Sequence, residues 1–216
     1  NKNYYNGNVC MGCHAELKNS ENLELFKIKK AGAKDEKTNC ITCHMPKMKG
    51  SSSNLESTKD HRYHGFAGAH NKSSLLRKYV KFSLKQKTES FQIAIKNEAS
   101  HDLFLQPLRV AVLKVSVLRE GQTIDLQEHY FEKTYIKDET LSSHWLANKV
   151  KKNSMIQANE KVKISFDKKL LKKDKVKVIL GFYLVKPSMR EELNLTNNKL
   201  ASKFNILKHQ VFDIEP

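Results

Sequence analysis

Two copies of one short pattern contain all four cysteines of the chain. The pattern is C-x-x-C-H, and its copies are the segments 10–14 (CMGCH) and 40–44 (CITCH). This is the attachment signature of a c-type haem, because two thiols at this spacing can add across the porphyrin vinyl groups while the adjoining imidazole binds the iron. The pattern therefore predicts two covalently bound haem c groups. The residues predicted to hold them are Cys10, Cys13, His14, Cys40, Cys43 and His44.

Two other chemistries use paired cysteines. A zinc ion could take the four thiolates as a tetrahedron, but zinc chemistry does not require a histidine directly after each pair. The stretch between the two pairs is also longer than the usual spacing of a zinc ribbon. Dithiol redox chemistry or disulfide pairing leaves the two histidines equally unexplained. The haem interpretation accounts for all six motif residues and is favoured.

A six-coordinate haem iron needs a distal ligand opposite each proximal histidine. The chain has nine histidines, and apart from the two in the motifs every one is a possible distal ligand. The best candidates lie in the glycine-containing segment 60–70, DHRYHGFAGAH, or in the later loop KNEASHDLF. These candidates are His61, His64, His70 and His101. Met45 directly follows a proximal histidine, which places it poorly for the distal side, so bis-histidine ligation is predicted for both haems.

The remaining histidines fit surface or core roles better. His129 lies in a segment that looks exposed, His144 neighbours the single tryptophan, and His209 lies near the end of the chain.

The chain is strongly basic: Lys and Arg outnumber Asp and Glu by 39 to 23, a formal net charge of +16 over 216 residues. Such a balance suggests redox protein partners that are acidic at the docking face, or peripheral contact with an anionic membrane. Nucleic acid is disfavoured, since the lysines are scattered over every segment and no nucleic-acid-binding motif occurs. No run of about 18 apolar residues is present, so no transmembrane segment is predicted.

The first third of the chain has few large apolar residues. Segment 10–14 is expected to form a short helical turn, segment 15–28 a weak helix or loop, segment 29–39 a solvated connection and segment 47–59 a flexible loop after Pro46. So little apolar bulk rarely stabilises a domain of this size. Two haems would supply it, and residues 1–75 are predicted to form a small helical or irregular dihaem domain after a polar lead-in at 1–9.

From about Leu75 onward apolar and polar residues alternate with period two, the pattern of half-buried strands. The clearest segments are 78–85, 91–97, 109–120, 161–167 and 175–185. They predict an antiparallel β-sandwich over residues 76–190, followed by a C-terminal tail, 191–216, that packs on the body. The fold class predicted is thus α+β in two parts, a dihaem domain and a sandwich.

The residues also resemble a known family. CITCHMPK followed by HGFAGAH is similar to the C-x-x-C-H-M-P … H-x-F-x-G pattern of multihaem c-type cytochromes, among them the tetrahaem cytochromes linked to hydroxylamine oxidation. FQIAIKNEASHDLFLQPLRVAVLKVSVL is similar to the first strands that follow the haems in some of these proteins. Asn97, His101 and Arg109 stand where the family has an asparagine, a loop histidine and an arginine-led strand.

The resemblance implies that His64 is a distal ligand and that His101 also competes for that role. It departs from the family in two places: Ser100 stands where a glycine is usual, and the chain has two haem motifs rather than four or more. The chain is expected to be either a reduced member or the C-terminal part of a longer cytochrome. Because haem attachment to C-x-x-C-H occurs outside the energy-transducing membrane, export to a periplasm is expected, with the signal peptide absent from a chain that starts at Asn1.

Three functions follow from these observations. Electron transfer between redox partners through two bis-histidine haems is the leading interpretation. The first alternative is a haem enzyme that reduces a small nitrogen or sulfur oxyanion, which requires an iron with an open distal face and a nearby proton donor. The second is a haem-based sensor or binding module. No Ser/His/Asp or paired-carboxylate arrangement points to other catalytic chemistry.

Overall fold

The computed structural model describes residues 6–29, 37–55 and 57–215. Residues 1–5 of the expected lead-in and residues 30–36 of the expected connection lie outside the described residues. The α-helices are α1 (Asn8–His14), α2 (Cys40–His44) and α3 (Lys199–Ser202), and 3₁₀ turns occur at Ser73–Tyr79 and Pro187–Met189. No described helix has the length and apolar character needed to cross a membrane.

Strands are the main regular structure of the described residues. The strands are β1 (Glu16–Lys18), β2 (Glu24–Lys27), β3 (Lys47–Lys49), β4 (Asp60–Arg62), β5 (Val80–Gln86), β6 (Phe91–Asn97), β7 (Val110–Arg119), β8 (Gln122–Asp125), β9 (His129–Phe131), β10 (Lys133–Lys137), β11 (Thr140–Ser142), β12 (Lys149–Asn153), β13 (Lys161–Phe166), β14 (Lys175–Tyr183) and β15 (Asn205–Asp213). The five period-two segments each contain one of these strands, so the alternation was a correct guide to strand position. Pairing is antiparallel throughout the described sheets.

The predicted fold class is wrong. Strands occupy 40% of the described residues and helices only 13%, and the strands form several separate sheets instead of a helical dihaem domain followed by a sandwich. The sheets have the orders β15-β14-β7-β8 with β9 also on β7, β13-β6-β5, β11-β10-β12, β1-β2 and β3-β4. The error arose in the first third of the chain, where short hairpins replace the expected helix and loop.

The hairpin β1-β2 shows why segment 15–28 is not helical. The side chain of Asn19 accepts hydrogen bonds from the backbone N–H groups of Glu21 and Leu23, and Asn22 adopts a left-handed backbone conformation with φ 60°. Asparagines in these two roles close a tight turn. The stretch KNSEN is therefore a turn signal, and it reverses the chain so that β1 and β2 pair.

The main core lies between the three-stranded sheet β13-β6-β5 and the large sheet that contains β7 and β14. Both sheets contribute alternate residues to one buried cluster, as period two requires. Its strand members include Val80, Phe82, Phe91, Ile93, Ile95, Leu113, Val115, Val117, Val176, Val178 and Leu180. Strand β15, in the segment predicted as a tail, pairs along β14 and adds Leu207 to this cluster.

A smaller cluster joins the first haem-motif region to the sheet β11-β10-β12. Leu25 of β2 packs with Tyr135 and Ala147. The buried Lys133 ammonium donates to the Leu25 carbonyl at 2.8 Å, and Asn19 Nδ2 donates to the Ala147 carbonyl at 2.7 Å. These bonds attach the hairpin that follows α1 to the later strands, while a domain boundary near residue 75 stays a prediction.

Candidate functional site

Both C-x-x-C-H motifs open into one cavity of about 820 Å³. That volume lies in the range of roughly 300–1,000 Å³ that holds small molecules and cofactors. All six motif residues line it, together with side chains from the strands and the loops between them. Its apolar wall residues include Phe26, Ile28, Leu76, Val80, Leu103, Phe104, Phe182 and Leu207. The cavity is thus a largely apolar space with cysteines and histidines in its wall.

The two motif helices are short and lie close together. Asn39, which is buried, caps α2 by accepting a hydrogen bond from the Thr42 backbone N–H at 2.9 Å. Pro46 follows the helix after Met45 and cannot continue it. The Cys40 Sγ lies 3.9 Å from the Gly7 carbonyl oxygen at the start of α1. The two cysteine pairs therefore occupy neighbouring positions on the same wall.

Burial raises the pKa of the Cys40 thiol to about 11, and the adjacent Cys10 thiol adds to the effect. A thiol with a raised pKa is protonated at neutral pH while nothing is bound to its sulfur. Among the described residues, no group of three or more His, Cys, Asp or Glu side chains is arranged to hold a metal ion. The environment of Cys40 suits a covalently capped sulfur in an apolar pocket.

The imidazole of His44 is held by the loop after β4. Its Nδ1 lies 2.5 Å from the Ala67 carbonyl oxygen, and the Ala67 backbone N–H donates to the His44 carbonyl at 2.8 Å. Donation from Nδ1 to a carbonyl leaves Nε2 with its lone pair available, as in histidines that bind metals. The glycine-containing segment therefore orients the motif histidine itself.

His101 enters the cavity from the loop after β6, and the fully buried Asn97 organises that loop. Asn97 Nδ2 donates to the His101 carbonyl at 2.9 Å, and its Oδ1 accepts the Ala99 N–H at 2.9 Å. His101 Nδ1 is 2.8 Å from the Asp102 carbonyl oxygen, which again leaves Nε2 free. Removal from water lowers the pKa of His101, and nearby His44 lowers it further, so its neutral form is favoured.

The rings of His44 and His101 have centroids 6.1 Å apart and planes inclined by 15°. Two metal–imidazole bonds of about 2 Å each account for roughly 4 Å of a separation across one metal ion. About 1 Å then remains on each side for the distance from the nitrogen to the ring centre. The centroid spacing is thus compatible in length with two imidazoles that bind one metal ion.

The other candidate ligands divide into two groups. His14 and His70 line the same cavity, whereas His61 and His64 are not among its wall residues. His61 lies on β4 with its Nδ1 2.7 Å from the Gly50 carbonyl oxygen. The structure thus brings His14, His44, His70 and His101 to one space.

The three histidines assigned to surface or core roles lie on strands or loops away from the cavity wall. His129 packs edge-on against Phe131, with ring centroids 4.8 Å apart. His144 packs edge-on against Trp145, with ring centroids 4.7 Å apart. His209 is exposed on β15.

Three residues of the cavity wall outside the motifs have shifted pKa values or a long-range hydrogen bond. Burial and a hydrogen bond with Cys43 raise the pKa of Tyr79, so its phenol stays protonated beside a motif sulfur. Burial lowers the pKa of Arg109, whose guanidinium lies in the wall of the largely apolar cavity. Ser100 Oγ donates to the Thr38 carbonyl at 2.9 Å, which ties the His101 loop to the segment before α2. Only the family resemblance had drawn attention to Arg109 and Ser100.

Phe66 and Phe104 line the cavity in left-handed backbone conformations, with φ of 50° and 61°. A bulky residue at positive φ is a genuine outlier, and it costs about 1–3 kcal/mol. Phe104 is held by its ring contact with Phe182 at 5.2 Å, while Phe66 remains 62% exposed at the cavity edge. Such strain concentrates at ligand sites, and both phenylalanines here face the same space.

The comparisons with known proteins identify the fold. The chain is similar to a solved penta-haem cytochrome c552 from Thermochromatium tepidum, with a TM-score of 0.72 and 19% sequence identity. The likeness covers 99% of this chain and 57% of that one, so the chain spans little more than half of the neighbour's length. No protein-family model and no curated protein matches the sequence. The chain therefore has a multihaem-cytochrome-like fold, and a closer relation to the cytochromes of hydroxylamine oxidation stays a prediction.

Proposed function

We propose that this chain is a dihaem c-type cytochrome that transfers electrons between redox partner proteins. The observation that carries the proposal is the single cavity that joins both C-x-x-C-H motifs to the facing pair His44 and His101. Sulfur anchors, proximal imidazoles, a second imidazole at ligating distance and an apolar wall are the parts that a covalently bound haem requires. A haem with two imidazole ligands supplies one-electron redox chemistry.

In this proposal the Cys10–Cys13 and Cys40–Cys43 pairs anchor the two haems by thioether bonds. His14 and His44 would supply the motif imidazoles to the two irons, and His101 would supply a second imidazole to the haem of His44. His70 would supply the second imidazole to the haem of His14, since it is the remaining candidate histidine in the cavity wall. The assignment replaces the sequence-based preference for His64.

Two of the proposed ligands, His44 and His101, are oriented by hydrogen bonds of the chain itself. The Ala67 and Asp102 carbonyls accept from Nδ1 of His44 and His101, which fixes both rings with Nε2 available. The apolar wall excludes water and gives the redox centre surroundings of low polarity. The polarity of these surroundings affects its reduction potential. Arg109 would pair with a carboxylate of a bound haem inside this wall, because guanidinium–carboxylate pairs are strong where water is excluded.

The cell compartment and the partners proposed for the protein follow from the same chemistry. Covalent haem attachment outside the energy-transducing membrane places the working protein in the periplasm of its source. The net charge of +16 favours redox partners with acidic surfaces, which it would attract at long range. In this proposal these partners exchange electrons with the haems.

Haem counting and low-temperature EPR of the air-oxidised protein test the proposal. The pyridine haemochrome assay is expected to give two haems per chain, and EPR only low-spin ferric signals. His70→Ala is expected to convert one haem to high spin, and His64→Ala to leave both low-spin. A high-spin signal from half of the haem in the unaltered protein would contradict electron transfer and favour an open iron that binds small anions or gases. A haem count of zero would contradict the proposal as a whole.

A further inference from the structure

One face of the three-stranded sheet β13-β6-β5 carries an unusual grid of lysines. Its outward positions form three cross-strand rows, because period-two alternation sends the other residues into the core. The rows are Lys81–Lys96–Lys161, Ser83–Ala94–Lys163 and Lys85–Gln92–Ser165. Five of these nine positions are lysine and none is acidic. We refer to these nine residues as the lysine face.

The first row places three lysines directly opposite one another on adjacent strands. Like charges in direct cross-strand register destabilise a sheet. Lys81 is relieved by an ion pair with Glu98 at 3.8 Å, and the Lys96 ammonium donates to the Asn159 carbonyl. Among the described residues no carboxylate forms an ion pair with Lys85, Lys161 or Lys163. Folding alone does not explain this arrangement.

Two lysines of the large sheet, which contains β7 and β14, form ion pairs. Lys114 pairs with Glu128 at 2.7 Å, and Lys175 pairs with Asp213 at 2.9 Å. These two lysines are thus each neutralised by a nearby carboxylate. The positive charge of the chain is uneven over its sheets, and the lysine face is a place where it is concentrated.

The lysine face adjoins the end of the sheet that meets the cavity. Lys81 follows Val80, a residue of the cavity wall. Lys96 precedes Asn97, whose side chain holds the His101 carbonyl, and the Asn97 N–H donates to the Glu160 carbonyl next to Lys161. A partner that contacts the first lysine row would therefore dock beside the loop that carries His101.

We infer that the lysine face is the docking site for an acidic protein partner. The central Ser83 and Ala94 are small, which leaves the face flat enough for another protein surface to approach. Lysine ammonium groups on flexible stems suit the scattered carboxylates of such a surface. Charges of this kind speed association and guide orientation more than they add affinity.

Two other anionic partners fit less well. Recognition of nucleic acid uses arginine forks and aromatic stacking, and the nine positions contain no arginine and no aromatic residue. Insertion at a membrane surface uses exposed apolar side chains, and the only apolar residue of the face is Ala94, which is buried. The composition of the face favours protein carboxylates.

The test measures binding of fluorescein-labelled poly-L-glutamate to the haem-loaded full chain by fluorescence anisotropy, at low salt where exposed charges are least screened. The variant Lys85→Gln/Lys161→Gln/Lys163→Gln removes three charges from the lysine face. The matched control, Lys151→Gln/Lys172→Gln/Lys177→Gln, removes three exposed lysines from other elements. The face variant is expected to bind about tenfold more weakly, and the control to change less than about twofold. Replacing the same three face lysines by arginine is expected to retain binding.

Equal losses in the face and control variants would overturn the inference, because binding would then follow net charge alone. Tighter, face-dependent binding of duplex DNA or of phosphatidylserine vesicles would overturn the choice of a protein partner. The inference deepens the proposed electron-transfer function by naming its docking face. The assay has no redox readout, so its failure leaves the haem count and EPR result standing and the two proposals fail separately.

Discussion

At the scale of single residues, the facing imidazoles of His44 and His101 are the central feature of the molecule. Each ring is held through Nδ1 by a backbone carbonyl of a different loop, Ala67 for one and Asp102 for the other. Backbone carbonyls are fixed by the fold, so the ring orientation does not depend on a mobile side chain. Histidines that bind metals commonly donate their other ring N–H to a carbonyl in the same way.

Replacing His101 by alanine should remove one distal ligand and leave the other haem unchanged. We expect half of the ferric haem to become high-spin in EPR, with no change for His129→Ala, which lies outside the cavity. His101→Met should restore a six-coordinate iron with a higher reduction potential, because a thioether ligand favours the reduced state. Two low-spin haems in the alanine variant would exclude His101 as a ligand.

Also at this scale, the buried Asp174 accepts from both Nε and Nη2 of Arg119, at 2.9 and 2.7 Å. The Arg119 guanidinium holds the pKa of the Asp174 carboxyl below its ordinary value. The carboxylate also accepts the Leu171 N–H, so it closes the turn before β14.

A depressed folded-state pKa gives the sign of the pH dependence. The contribution of Asp174 is fully present above its unfolded pKa of about 4 and is lost as pH falls through the lower folded-state value. Asp174→Asn should therefore lower the urea midpoint at pH 7, and the difference from the unaltered protein should shrink below about pH 4. Asp213→Asn, which breaks only an exposed pair with Lys175, should have little effect at either pH. A constant difference at all pH values would contradict this account.

At the scale of elements, Asn97 fixes the loop between β6 and β7 that carries His101. Its side chain donates hydrogen bonds to backbone carbonyls of two separate segments. Asn97 Nδ2 donates to three carbonyls, those of His101, Ile156 and Gln157. The side chain acts as a bridge from the end of β6 to the segment before β13. It thereby couples the position of a proposed iron ligand to the sheet.

Asn97→Ala should lower the free energy of unfolding by about 2–4 kcal/mol, because several buried backbone groups lose their partner. Denaturant unfolding measures the loss, and Asn148→Ala, an exposed asparagine, is the control with a change under about 0.5 kcal/mol. We also expect the Asn97 variant to show a mixed spin state at one haem. Unchanged stability would mean that water replaces the side chain without penalty.

At the scale of the whole molecule, the first third of the chain holds little apolar core of its own. Leu25 and Phe26 of β2 are its large buried aliphatic and aromatic residues among those described. The cavity formed by both motifs is where additional apolar bulk would lie. The haems of the proposed function are therefore structural as well as redox groups.

Cys40→Ser/Cys43→Ser should leave the region before residue 75 unfolded while β5 to β15 stay folded. Limited proteolysis of the full chain is expected to cut within the first 75 residues, and to spare them in the unaltered holoprotein. A cooperative, native-like melt of the variant, with no new cleavage sites, would show that this region folds without its second haem.

Local sequence patterns were sufficient for the strands of the main core. Alternation with period two depends only on neighbouring residues, so it located β5, β6, β7, β13 and β14 before any pairing was known. The same reasoning failed for segments 15–28 and 47–59, where strands of three or four residues are too short to show a period. Turn asparagines and long-range bonds to β10 form the β1-β2 hairpin instead.

The sequence by itself determined the chemistry proposed for the site, because C-x-x-C-H places two sulfurs and an imidazole close together in the chain. It also determined which segments could be strands. Only the tertiary structure decided which histidines meet in the cavity, how the sheets are ordered and where the lysines gather into one face. The physical reason is that these features join residues far apart in the chain, and their meeting depends on strand register and loop closure, which no local pattern encodes.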